Sequence, residues 1–167
     1  MSTEVQQIKQ AMSIIQKLIN LYQQLLLAMS KELATGILHW TGTSRDLTSF
    51  EAINRGHSRY PISELGHHVA YNYLVTKDSC YQARKDSEEG LACKSYKGSE
   101  RDVCITGMPD EKMNEYQKQK VTEVFKSYRE RGIIRKVVFP HSYFLNTECP
   151  GKDAREFLKN LNKELNR

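Results

Sequence analysis

The chain has 167 residues, 39% hydrophobic and 27% charged, the make-up of a globular domain with room for one sizeable core and a short extension. Its net charge of +5 is lopsided: residues 1–110 carry 12 basic and 12 acidic side chains, residues 111–167 carry 13 and 8. That excess suits an anionic polymer, cell wall or nucleic acid, or simply solvated Lys-rich helix faces, and the longest unbroken apolar run, residues 25–29, excludes a membrane span.

Residues 4–34 read as one helix. Ile8, Met12, Ile15, Leu18, Ile19, Tyr22, Leu25, Leu26, Met29 and Leu33 recur at spacings of three and four, the opposite side is rich in Gln and Lys, and Gly36 is expected to end the run. A stripe of this length wants a partner, either its own domain or a second copy, so packing or self-association is expected. A membrane surface suits it less, because the polar face is mostly neutral Gln. The Gln-rich first ten residues, with Glu4 opposing Lys9, do not make a secretory signal, so a product made in the cytoplasm would need another release route to reach a cell wall.

Beyond Gly36 the texture changes to short apolar runs separated by turns. Residues 37–40 are expected as a first strand and 47–57 as a short helix. Residues 68–75, alternating and aromatic, read as a strand, with a turn at 77–79 and a hairpin return at 80–84. Another strand covers 102–106. A helix is expected from Pro109-Asp110 to about Arg131, with Met113, Tyr116, Val121, Val124, Phe125 and Tyr128 on its apolar side and Gly132 as its stop. A strand at 133–139, a loop at 140–152 and a last helix from about Asp153 follow, the helix carrying Phe157, Leu158, Leu161 and Leu165 on one face. The alternation implies an α/β layer, a mixed β-sheet flanked by helices, with residues 1–35 as an N-terminal amphipathic helix and 36–167 as the domain.

Three residues stand out chemically. His39 ends a strand, His141 follows one, and Cys149 lies eight residues further in the same loop, just before Pro150-Gly151. Two imidazoles and a thiolate suit zinc, and three protein ligands leave a fourth position for water, which separates a catalytic site from a structural one. The other cysteines are Cys80, Cys93 and Cys104; there is no CxxC pair, four cysteines allow three pairings, and Cys104 reads as a buried strand residue.

The order of the motifs carries a resemblance. Ile37-Leu38-His39-Trp40-Thr41-Gly42-Thr43 is similar to the opening strand of the type 2 N-acetylmuramoyl-L-alanine amidases, the superfamily of phage lysozyme-amidases and peptidoglycan recognition proteins. Val69-Ala70-Tyr71-Asn72-Tyr73-Leu74-Val75 resembles a second strand of that family, and Cys80-Tyr81-Gln82-Ala83-Arg84 its hairpin return. Residues 102–107 match a further strand in position and character, and His141 with Thr147-Glu148-Cys149-Pro150-Gly151 resembles the family's ending. The resemblance spans about residues 36–165. Two stretches depart from the pattern: Ser142-Tyr143 after the second His, and Ala92-Cys93-Lys94-Ser95 before the strand at 102–106.

The resemblance implies an amidase-like fold with an extra N-terminal helix, zinc held by His39, His141 and Cys149, and hydrolysis of the amide between N-acetylmuramic acid and L-alanine of peptidoglycan. It gives Tyr71 the task of orienting the metal water or taking its proton, and Thr147 that of donating to the oxyanion. His67 and His68 are expected as loop or rim residues that the mechanism does not need. Peptidoglycan is then the expected partner, and nucleic acid is not. Two other readings stand beside this one: a binder of the same fold that does not cut, which in this family lacks the Cys ligand, and an interaction protein working through its N-terminal helix.

Overall fold

The computed structural model describes residues 3–29 and 33–167, and the chain falls into two compact units divided between residues 32 and 33. The first holds helix α1 (Thr3–Met29). Met12, Ile15, Leu18, Ile19 and Tyr22 are exposed along it, and so are Ile14 and Leu21. The expected last turn at 30–32, and the side chains of Ile8, Leu25, Leu26 and Met29, lie outside what the structure describes.

The second unit is built on a five-stranded sheet of order β3-β2-β4-β1-β5, comprising β1 (Ala34–Trp40), β2 (Tyr73–Val75), β3 (Cys80–Gln82), β4 (Glu100–Ile105) and β5 (Ile134–Pro140). β4 and β5 run parallel to β1, β2 runs parallel to β4, and only the β2–β3 hairpin is antiparallel. The mixed sheet expected from the sequence is therefore present. Helices α2 (Phe50–Gly56), α3 (Glu115–Glu130) and α4 (Lys152–Leu165) complete the unit.

The central strands β1 and β4 are buried along nearly their whole length, and side-chain alternation divides their work between the two faces. Leu38, Val103 and Ile105 point to one face, where they pack with Val75, Val121, Phe125, Tyr128, Ile134, Leu158 and Leu161 beneath α3 and α4. The other face carries Thr35, Ile37 and His39 from β1 opposite Glu100, Asp102 and Cys104 from β4. One face holds the main core; the other, the loaded face, carries the polar and ligating side chains beside a second, smaller apolar cluster of Phe50, Val69, Leu74, Ala83 and Cys104.

Four expectations need correction. Gly36 does not end a helix; it lies inside β1, which starts at Ala34, where the Ala34 and Thr35 amides donate to Ile133 and Ser99 carbonyls. A Cβ at Gly36 would stand 3.1 Å from the Phe125 ring and from Ile134, so this position lets α3 sit close against the strand. The strand expected over 68–75 is regular only from Tyr73 to Val75. Before it, side chains take up two of the backbone amides: Asn54 Oδ1 accepts that of His68 and His57 Nδ1 that of Ala70. Asn72 Oδ1 accepts the Asp102 amide and its Nδ2 donates to the Lys85 and Glu88 carbonyls. α3 begins after Asn114 rather than at Pro109-Asp110. Asn114 Oδ1 accepts the Gln117 amide at 2.8 Å while Gln117 Oε1 accepts the Asn114 amide at 3.2 Å, a reciprocal cap that fixes the start. Finally, the loop after β5 opens with a 3-10 turn, His141–Tyr143.

Candidate metal centre

The site lies at the C-terminal ends of β1 and β5. His39 projects from the penultimate residue of β1 onto the loaded face and is 2% exposed. His141 leaves β5 immediately after Pro140. Cys149 returns to them because its loop is tied down: its carbonyl accepts the Ser142 amide at 2.9 Å, and Arg155 donates to the Glu148 carbonyl at 2.8 Å. Gly151, at φ 89° and ψ 166°, closes that loop in a conformation essentially reserved for glycine. A Cβ there would meet the Pro109 carbonyl oxygen and the Trp40 ring, each at 3.0 Å.

His39, His141 and Cys149 each offer one ligand atom, and these atoms lie within 4.8 Å of one another. The two imidazole rings are 4.5 Å apart at their centroids. The Trp40 amide donates to Cys149 Sγ at 3.3 Å. His39 Nε2 faces Asp102 Oδ1 at 3.1 Å, which leaves Nδ1 for the cluster. His141 Nε2 is buried with no hydrogen-bond partner.

The protonation states suit a cation. Burial lowers His39 to about 3, and burial with the neighbouring His39 lowers His141 to about 4, so both rings are neutral with lone pairs available. Burial pushes the Cys149 thiol up to about 12, and only a nearby positive charge makes a thiolate there comfortable. Two neutral imidazoles, one of them with an unsatisfied buried nitrogen, and one thiol form a donor set that fits zinc.

Tyr71 stands in the irregular segment before β2 and not in a strand. Its ring centroid is 5.4 Å from that of His39 and 5.4 Å from that of His57. Burial, then the neighbouring Cys104 thiol, raises its pKa well above the ordinary phenol value, so at neutral pH it is a hydrogen-bond donor. Thr147 is half-buried, and its Oγ1 accepts the Cys149 amide at 3.3 Å, leaving the hydroxyl hydrogen free to donate. His67 packs its ring on Phe50 and His68 Nδ1 pairs with the Tyr60 carbonyl, so neither joins the cluster. All four cysteines are free.

Sequence reasoning missed the carboxyls behind His39. Asp102 is fully buried; besides His39 it accepts the Ala92 amide on Oδ2 at 3.1 Å. Glu100 lies two residues back on the same face, accepting the Cys93 amide at 3.2 Å. Burial raises both; Glu100 is the one held protonated, because Ala92, Arg101 and Arg84 favour charge on Asp102. The signal was present as two carboxyls two residues apart, but the strand was expected only from residue 102, so Glu100 fell outside it. The departing stretch at 92–95 supplies the two amides that receive them.

No protein-family model and no curated protein sequence matches the chain. Solved structures do. An N-acetylmuramoyl-L-alanine amidase endolysin from Clostridium intestinale superposes with a TM-score of 0.65 at 17% identity, over 78% of this chain and 84% of that one. The fold is that of the amidase endolysins and peptidoglycan recognition proteins. Within the same fold, the endolysin of a Thermus scotoductus bacteriophage superposes at 0.62 with 17% identity, over 80% of this chain and 86% of its own. A human peptidoglycan recognition protein in complex with glycosamyl muramyl pentapeptide superposes at 0.58 with 19% identity, over 72% and 78%. Among the described residues, no helix is long and apolar enough to cross a membrane.

Proposed function

We propose that the protein is a zinc amidase that hydrolyses the bond between N-acetylmuramic acid and L-alanine of the peptidoglycan stem peptide. The observation that carries this reading is the convergence of His39, His141 and Cys149 within 4.8 Å, with His141 Nε2 buried and unpaired. Zinc held by these three would supply a Lewis acid and a water with a pKa of about 7. Around it, Asp102 holds His39, the Trp40 amide holds the Cys149 sulfur, and the 3-10 turn carries His141. Tyr71, a donor rather than a base at neutral pH, orients the attacking water. Thr147 donates to the amide oxygen as charge builds on it.

The test is digestion of purified peptidoglycan by the zinc-loaded protein with and without chelator, read as stem peptide released with a free L-alanine amino group. Zinc bound near one per chain and chelator-sensitive release are expected. Binding without release by loaded protein would instead make this a recognition protein, a reading favoured by the neighbour solved with a muramyl pentapeptide.

Tyr71→Phe is expected to fold and bind zinc but lose most turnover, since only the phenol oxygen is removed. Wild-type turnover would show that Tyr71 is merely a packing aromatic. Thr147→Val is expected to cost roughly tenfold to a thousandfold in turnover, the range for loss of one oxyanion donor. Steady-state kinetics on soluble muramyl peptides checks both.

The N-terminal helix serves a separate purpose in this reading. Met12 and Ile19 alternate with Ile15 and Tyr22 at spacings of four and three, a seam that pairs with a second copy. Flanking residues are largely neutral, so identical helices do not repel. Removing residues 1–32 is expected to leave a folded, zinc-binding domain of lower oligomeric mass by light scattering. A truncated chain that does not fold would put the helix in the core.

A further inference from the structure

Burying a carboxylate in a central strand is costly, and β4 buries one at Asp102 with nothing exposed. Its place is held from three sides. The Asn72 side chain accepts the Asp102 amide at 2.8 Å, and the Asn72 amide donates to the Asp102 carbonyl at 2.9 Å, which fixes the backbone. The Ala92 amide donates to Oδ2 at 3.1 Å, which fixes the carboxylate plane. Gly90 leaves the space the carboxylate fills: a Cβ there would stand 2.2 Å from Oδ2. Asp102 pairs in register with Ile37, two residues before His39, so its remaining oxygen reaches forward along the loaded face to His39 Nε2 at 3.1 Å.

We propose that Asp102 is a positioning residue for the metal centre: its carboxylate accepts the Nε2 hydrogen of His39, selects that tautomer, and so presents Nδ1 to the cluster as a ligand. Neutral imidazole has one N–H and one lone pair, and the partner of one nitrogen decides what the other can do. The carboxylate also stops the ring from rotating about its Cβ–Cγ bond, so Nδ1 is aimed before any ion arrives. Gly90 belongs to the same device, because only a residue without a side chain admits the carboxylate. This inference rests on the reading that the cluster binds zinc.

The test uses the full chain in three forms, wild type, Asp102→Asn and Gly90→Ala. Zinc affinity is measured by competition with a chromophoric chelator, and the His39 tautomer by long-range nitrogen–proton NMR of the rings in metal-free and zinc-loaded protein. In wild type the hydrogen is expected on Nε2 in both states. Asp102→Asn is nearly isosteric and keeps a buried polar group; its zinc affinity is expected to fall about 10–100-fold, with the free-state ring populating both tautomers. Gly90→Ala, with Asp102 intact but displaced, is expected to weaken zinc binding in the same direction. A zinc-loaded wild type with the hydrogen on Nδ1 overturns the proposal without recourse to any variant. So does Asp102→Asn with unchanged affinity and tautomer. A wild type that binds no zinc at all overturns the metal reading itself, a result distinct from either.

Discussion

Cys149→Ser is expected to abolish hydrolysis while leaving the fold and binding to the cell wall largely intact. Thiolate is a far better zinc ligand than a neutral hydroxyl, so serine empties or weakens the centre. The side chain is 5% exposed and its sulfur receives the Trp40 amide at 3.3 Å; a serine oxygen occupies nearly the same volume and accepts the same hydrogen. Were Cys149 in a disulfide, its loss would cost about 2–5 kcal/mol of stability, but all four cysteines are free. Thermal melting, zinc content and wall pull-down on one preparation check the result. Serine protein that keeps its zinc and cuts normally would remove Cys149 from the centre.

Gly151→Ala is expected to damage the same centre by a different route. At φ 89° and ψ 166° the backbone is in a region that any side chain makes strained, at a cost of about 1–3 kcal/mol. The added methyl also overlaps the Pro109 carbonyl oxygen and the Trp40 ring at 3.0 Å, a conflict with backbone on one side and a rigid ring on the other. Relief requires the loop to move, and Cys149 moves with it. Loss of melting temperature together with weaker zinc binding is therefore expected, whereas Gly132→Ala, also at positive φ but with open space around it, is expected to lose stability alone. Equal zinc affinity in the two variants would show that the loop does not set the position of Cys149.

What could be read from the sequence was what local strings encode. Ile37–Trp40 and the run from His141 to Gly151 each carry their chemistry within a few residues, so three groups that converge in space were nameable in advance. The order of strands and helices was readable for the same reason, since the period of apolar residues is a local property. The failures are non-local. Asp102 acquires its meaning only from a register with β1 that places it behind His39, and Gly90 only from Asp102. Residues 68–71 have the composition of a strand, but their amides and carbonyls pair with Asn54, His57, Arg84 and Leu91. Gly36 looked like a helix stop because the Phe125 ring that packs on it lies far along the chain. The start of α3 was decided by a reciprocal Asn114–Gln117 cap, a pattern present in the sequence but outweighed by the Pro109-Asp110 pair before it.

The alternation in β1 and β4 bears on which changes in chain length the protein survives. Leu38 belongs to the apolar cluster and His39 to the centre, one residue apart, and Val103 and Cys104 repeat the division across the ladder. A single-residue deletion or insertion within either strand exchanges the two faces, sending a histidine into hydrocarbon and a leucine to the ligand cluster. A two-residue change restores the faces but carries His39 about 6.6 Å along the strand, farther than the 4.8 Å that contains the ligand atoms. In a library of random insertions and deletions, survivors should thus be absent from residues 34–40 and 100–105 and concentrated in the turns of residues 57–66 and 77–79, so that this fold diversifies by changing the lengths of its connections and never those of its central strands.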